Sequence, residues 1–424
     1  MTHSARSLRP SGESIGVVLR TAVHRIMGLP PRPSSRVSRG LAAILLCPLV
    51  TAALSAQLPP LPPGRLDSAT VYSLLQMADA IAMDDRAQGF ALFDALWRRR
   101  ADLPEPSVAN VAASRATISG DREAQVEAWR DLARLRPTND YQRGLMRVLL
   151  SAGRIAEARE LAARYVPTAG ESRVPVREEL EAEIAELLGD WPAMRRAVDA
   201  ASAYPRWPTL PFSYSLRLSA LAGSNARRAL GPLLDSALAQ TPRGYRVDPV
   251  VYYSDYGNRL AVHGQDTLAA RAWQRALVVL DSLRPQAEAR GAVGLDSVRL
   301  TRGRLLLSLG RVVEATELLR APSRRLEPRE RYRVAWLAIA ELRGGDRAAA
   351  LSLDRALAAD TVFVMRGATA VSRAMIAEAL GETSRGAALL LASRRYIDVR
   401  GLPNNPQLAR TLREPSVQAW LRGS

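Results

Sequence analysis

Lysine is absent from the 424 residues, so all 59 basic residues are arginine. That absence excludes a P-loop lysine, a Schiff-base lysine and a Ser/Lys dyad. Two causes fit: a GC-rich coding sequence, or selection for guanidinium groups that make bidentate contacts with carboxylate or phosphate. Cysteine occurs once, at Cys47, and histidine three times, at His3, His24 and His263. Once residues 1–56 are removed only His263 remains, which leaves zinc centres and Cys/His pairs without ligands and a Ser/His/Asp triad unexpected; GxGxxG does not occur, and the one GxSxG, Gly12–Gly16, lies in the leader. Aromatics make up 5%, sparse for a β-rich chain, while Ala, Leu, Arg and Glu favour helix. The expectation is an all-α protein, without cofactor or metal, that is not an enzyme.

The formal charge of +17 raises the possibility of nucleic-acid binding. Residues 1–56 hold seven arginines and one glutamate, a net of +6, so a chain starting at Gln57 carries 17 − 6 = +11. The other arginines are interspersed with Asp and Glu, and clusters such as Arg98-Arg99-Arg100 and Arg324-Arg325 suit helix ends. Nucleic acid is therefore a weaker expectation than a protein or peptide partner.

Arg36 and Arg39 precede the apolar run Gly40–Leu54, which is followed by small residues and then the proline-rich QLPPLPPGR. This is the form of a secretory signal, too short and proline-interrupted to span a membrane, with cleavage expected after Ala56 or Ala52. Leu46 before Cys47 argues against lipidation, which wants a small residue there. The expected divisions are a polar leader 1–38, a signal 39–56, a linker 57–65, a helical array 66–395 and a capping segment 396–424. Because 1–38 is long for the charged region of a signal, translation from Met27 or Val37 is expected.

Turn glycines then recur at Gly120, Gly153, Gly189, Gly223, Gly264, Gly310, Gly345 and Gly381, at intervals of 33, 36, 34, 41, 46, 35 and 36 residues. The two longer intervals imply loop insertions around TPRGYRVDP and RPQAEARGAVG. A turn without glycine at Met83-Asp84-Asp85 adds an earlier unit, giving nine hairpins. Seven positions before the glycine stand Ala113, Ala182, Gly257, Gly303, Ala338 and Ala374, small enough for close helix approach. Five positions after it stand Ala158, Ala269, Ala315 and Ala350, with Trp129, Leu319 and Trp273 four further on. Prolines at 137, 167, 205, 242, 285 and 322 close second helices.

In this pattern, clearest in LSAGRIAEARELAARYVP, AVHGQDTLAARAWQRALVVL and LLSLGRVVEATELLRAP, the chain resembles the tetratricopeptide repeat family over Leu66 to Arg395. The resemblance implies a right-handed α-α superhelix whose first helices line a concave groove. Positions thirteen, ten and six before the glycine then face that groove. They select Asn110, Ser114, Arg143, Arg147, Glu179, Glu183, Ser213, Arg217, Ser254, Asn258 and Arg304. Alternation of Arg and Glu along successive units suits a peptide of mixed charge. The Asn and Lys pattern that grips a C-terminal carboxylate in some family members is absent.

The functional expectation is an exported, non-enzymatic scaffold in the bacterial cell envelope, binding protein or peptide, with no membrane span after cleavage. A helical toroid that cleaves carbohydrate with paired carboxylates is the alternative. The clusters YPRWPTLPFSY and VVYYSDY would be its sugar platforms, or else packing residues. His263, beside Gly264, is expected to be a polar helix end. Trp420 and Leu421 are expected to cover the last apolar face.

Overall fold

A computed structural model describes residues 61–166, 175–240, 249–289, 291–321 and 329–423, and no strand occurs among them. The leader and signal expectations, and the insertion at residues 241–248, lie outside the described residues. Among the described residues there are nine helical hairpins. They are α1 (Ser68–Asp84) with α2 (Arg86–Arg98), α3 (Glu105–Ser119) with α4 (Arg122–Leu135), and α5 (Asn139–Ser151) with α6 (Ile155–Arg164). Next come α7 (Val176–Leu188) with α8 (Trp191–Ser202), α9 (Pro211–Gly223) with α10 (Arg227–Ala239), and α11 (Pro249–Val262) with α12 (Asp266–Ser282). After the short α13 (Arg284–Ala289), α14 (Gly291–Ser308) pairs with α15 (Val312–Arg320), α16 (Arg329–Arg343) with α17 (Arg347–Ala358), and α18 (Arg366–Ala379) with α19 (Thr383–Ala392).

The turns form where backbone chemistry demands. Gly120, Gly153, Gly189, Gly264, Gly310, Gly345 and Gly381 adopt φ between +67° and +94°, a region that costs glycine nothing. The next helix is often capped by aspartate: Asp121, Asp190 and Asp346 accept from the backbone N–H three residues on. The first hairpin turns without glycine because Asp85 is extended and caps α2 through Gln88 N–H at 3.0 Å. Gly223 departs from its expected role. It ends α9 inside the helix, while Asn225 takes the positive φ of 55°. A Cβ on Gly223 would lie 2.3 Å from the Trp191 indole, so close packing, not the turn, requires glycine there.

The repeat's small positions do the packing. Ala158, Ala269, Ala315 and Ala350 are fully buried, and Gly257 lies against the indole of Trp273. Within RPQAEARGAVG, expected as a loop, residues 284–289 form α13 and 291–294 open α14.

Successive hairpins stack through their first helices, as α9 on α11 and α16 on α18, to build an α-α superhelix. It comes full circle. The segment Phe363–Met365 ahead of α18 packs on α2 and α3. Phe363 lies between Phe90, tilted at 5.9 Å, and Tyr396, edge-on at 6.0 Å, and the Arg115 and Arg366 guanidiniums cover the outer rings.

The C-terminal segment departs from a simple cap. After α19 it runs through four 3-10 turns (Arg394–Tyr396, Val399–Gly401, Pro406–Leu408 and Thr411–Arg413) and ends in α20 (Pro415–Arg422). Along this path it touches α4, then α5 and α7, then α11 and α18, then α19. First helices of the third, fourth, sixth and ninth hairpins converge only on the concave side, so the tail threads the inside of the superhelix. Leu421 is buried and α20 packs on both α19 and α7, so it covers more than the last hairpin. Val399 and Leu408 are fully buried, each worth about 1.5–3 kcal/mol.

Candidate functional site

The centre of the inner surface is a charged cluster on α7, α9 and α11. Arg259 of α11 is buried and pairs with Glu186 of α7, with Asp255 at 2.8 Å and with the Ser219 hydroxyl at 3.0 Å. Ser215 of α9 donates to Asp255. Burial alone would ease the proton off Arg259, but Asp255 and Glu186 outweigh it and hold the guanidinium charged. One turn earlier on α7, Glu183 accepts Arg400 of the tail at 2.8 Å. Burial pushes the Glu183 carboxyl up, yet Arg400 and Arg147 more than compensate, so it stays below the usual carboxylate range. With its amide turned to satisfy both ends, Asn404 of the tail donates to Glu186 and accepts from Arg259.

Glu179, a further turn back, differs. Burial pushes its carboxyl up to about 7, only partly opposed by a 2.6 Å hydrogen bond from Trp207 Nε1 and by Arg147. His263 packs edge-on against Trp191 at 4.6 Å. Its imidazole is pushed down to about 4 by burial and by the nearby Arg259 and Arg413. It is a neutral packing group at neutral pH.

Beside Arg400 a cavity of about 300 Å³ remains, bounded by Glu183, Glu186, Asp255, Arg259, Phe212 and Tyr252. Further along, Glu378 of α18 accepts the backbone N–H groups of Arg410 and Thr411 at 2.9 and 2.8 Å. The Asp121 carboxylate receives Arg395 at 2.9 and 2.7 Å where the tail enters. The inner surface therefore holds an extended segment by side-chain contacts to its guanidiniums and its backbone.

Of the expected groove residues, Arg147, Glu179 and Glu183 come together on this surface. Others are placed differently. Ser114, Ser213 and Ser254 are buried in helix packing, because serine is small enough to sit where hairpins meet. Ser213 caps its own turn at the Leu210 carbonyl, 2.7 Å away. Asn258 fixes the Trp273 indole, accepting at 3.2 Å. Arg143 pairs with Asp140 on its own helix. Arg217 donates to the Pro208 carbonyl and lines a cleft of about 530 Å³ between the fourth and fifth hairpins, away from the tail. Asn110 and Arg304 are half-buried.

Glu186, Asp255, Arg259, Glu378 and Arg400 escaped the register. Glu186 and Glu378 each stand three residues before a turn glycine, one helical turn past the last selected position, so extending the register would have found them. Arg400 had no repeat to mark it. Glu186, Glu183 and Asp255 are held by Arg259, Arg400 and Ser215 respectively.

Fold and inner surface together define a helical-repeat protein whose concave face holds an extended peptide segment. Among solved structures, a chain in the crystal structure of the yeast Tom70 is similar with a TM-score of 0.47 and 14% identity, covering 84% of this chain and 70% of that one. No protein-family model and no curated protein matches the sequence. Among the described residues no helix is long and apolar enough to cross a membrane, and no group of three or more His, Cys, Asp or Glu is placed to hold a metal.

Proposed function

We propose that the chain is a non-enzymatic, exported scaffold that binds a protein or peptide partner in the bacterial cell envelope. The observation that carries this reading is the tail itself. An extended segment lies along the inner helices, gripped by Glu183 at one arginine and by Glu378 at two backbone N–H groups. A surface able to hold one such segment by its arginine and its backbone has the chemistry to recognise another. Export rests on the charged, apolar and small-residue succession before Gln57.

Photo-crosslinking in the native host tests the binding. A crosslinking side chain replaces Arg147, which is exposed on α5 near Glu179 and Glu183, or Val313, exposed on the second helix of its hairpin. Specific adducts from position 147 and not from 313 are expected. Equal adducts from both would remove the inner face from the reading. The mass of the native protein tests export: a terminus at Gln57 is expected, and an intact Met1 on the protein from the envelope fraction would refute the signal.

A further inference from the structure

We propose that residues 396–414 are an internal stand-in for a partner: their site takes an extended peptide from another protein, with one arginine between apolar residues, when the tail releases it. The proposal rests on the scaffold reading above and adds the chemistry of the ligand and the identity of its competitor.

Charge complementarity is the first argument. Three carboxylates, Glu183, Glu186 and Asp255, line the central cavity with a single guanidinium of the repeat, Arg259. Arg400 supplies the second, at 2.8 Å from Glu183. Without the tail three carboxylates, of which Glu186 is buried, face Arg259 and the nearby Arg147 alone, an excess of negative charge that favours a cation.

The fit is incomplete, which is the second argument. About 300 Å³ stays open beside Arg400 and Pro403, walled by Phe212 and Tyr252. The Thr411 hydroxyl oxygen is buried without a partner. A segment selected only as core would fill such space.

The third argument is how the segment is held. It is not a helix packed by period, but a run of 3-10 turns whose backbone is read by side chains of the repeat, as Glu378 reads Arg410 and Thr411. Its rim anchors are outside: the side chains of Arg395 and Arg410 are 57% and 60% exposed. Ile397, Val399 and Leu402 are buried around Arg400 and define the pattern a competitor must copy, apolar, any, apolar, Arg, any, apolar. Because the tail is tethered, it is present at an effective concentration on the order of millimolar, so a free peptide binds the closed form weakly.

Two measurements on the full chain test this. In hydrogen exchange of the wild-type protein, amides of 397–411 are expected to open at least about tenfold more often than those of α5 and α7, by local release. A labelled peptide of residues 393–412 is then titrated against wild type and against the full chain carrying Arg395→Glu and Arg410→Glu. Binding at least about tenfold tighter to the loosened protein is expected, and the same peptide with Arg400→Glu should lose it. Exchange of the tail only together with the inner helices would overturn the proposal, even if the loosened protein failed to fold. So would equal affinity for both proteins, or an Arg400→Glu peptide bound as well as its parent. A dimer of the loosened protein in sedimentation would assign the site to a second copy's tail and overturn it as well. The crosslinks from position 147 are independent of these outcomes, so the scaffold reading can survive the loss of this one.

Discussion

Arg395 and Asp121 stand 274 positions apart in the chain and meet through two hydrogen bonds, at 2.9 and 2.7 Å. Asp121 also caps α4 through Ala124 N–H at 3.1 Å, so one carboxylate starts a helix and anchors the tail where the superhelix closes. Burial pushes this carboxyl up, but Arg395 and the capping N–H groups outweigh it and hold it below the usual carboxylate range. The stabilisation is thus complete above the unfolded carboxyl's pKa and is lost as pH falls through the lower folded value. Arg395→Ala should cost about 0.5–1 kcal/mol at pH 7, a modest figure because the arginine is largely exposed. In thermal melts the difference from wild type should vanish once the pH is below the folded Asp121 value. A gap that persists there would mean packing, not the ion pair, accounts for it.

Arg259 makes a sharper case. It is buried, and it holds Glu186 and Asp255 from two different hairpins. Arg259→Met removes the cation and leaves Glu186 buried against nothing but Asn404 and its own helix. A loss of about 3–5 kcal/mol in denaturant unfolding is expected. Adding Glu186→Leu should recover part of it, since the stranded charge is then gone. No recovery in the double variant would show that the cost lies in lost packing of the arginine stem.

The contrast between these two pairs explains what was legible beforehand. Gly153 and Ala158 were readable because the repeat places the same physical demand, a left-handed turn and a close helix approach, about every 35 residues. Glu179 and Glu183 followed from the same register. The tail contacts were not readable: Arg400 meets Glu183 across 217 positions, and no local period encodes such a meeting. The serines at 114, 213 and 254 misled for the opposite reason. A small polar side chain satisfies a solvated groove and a tight helix junction equally well in sequence, and only the junction exists. Gly223 likewise sits one position class from a turn, but Trp191 decides its role.

Two glycines in helices should answer the same substitution with opposite signs. At Gly231 in α10 an added Cβ meets nothing within 4 Å, so Gly231→Ala should stabilise the protein by up to about 1 kcal/mol through helix propensity. At Gly257 in α11 the Cβ would lie 2.3 Å from the Trp273 indole nitrogen, which itself donates to Asn258. Gly257→Ala should therefore destabilise by about 1–3 kcal/mol despite the same propensity gain. Thermal midpoints that move the same way would contradict the close packing between α11 and α12.

Glu179 links stability to pH in the direction opposite to Asp121. Burial pushes its carboxyl up to about 7 from 4.5, so the folded protein retains a proton that the unfolded chain releases. Stability from this site is undiminished below 4.5 and falls as pH rises through about 7. Glu179→Gln cannot ionise and can still accept from Trp207 Nε1, so it should be more stable than wild type by about 2–3 kcal/mol at pH 8 and equal to it at pH 4. Trp207 provides a direct reading, because its indole donates to the titrating oxygen at 2.6 Å. Tryptophan fluorescence of the wild type should show a transition centred near 7 that is missing in Glu179→Gln. A transition retained in the variant, or one centred at the ordinary glutamate value, would mean that water reaches Glu179 and that the inner face of α7 is more open than the tail's position implies.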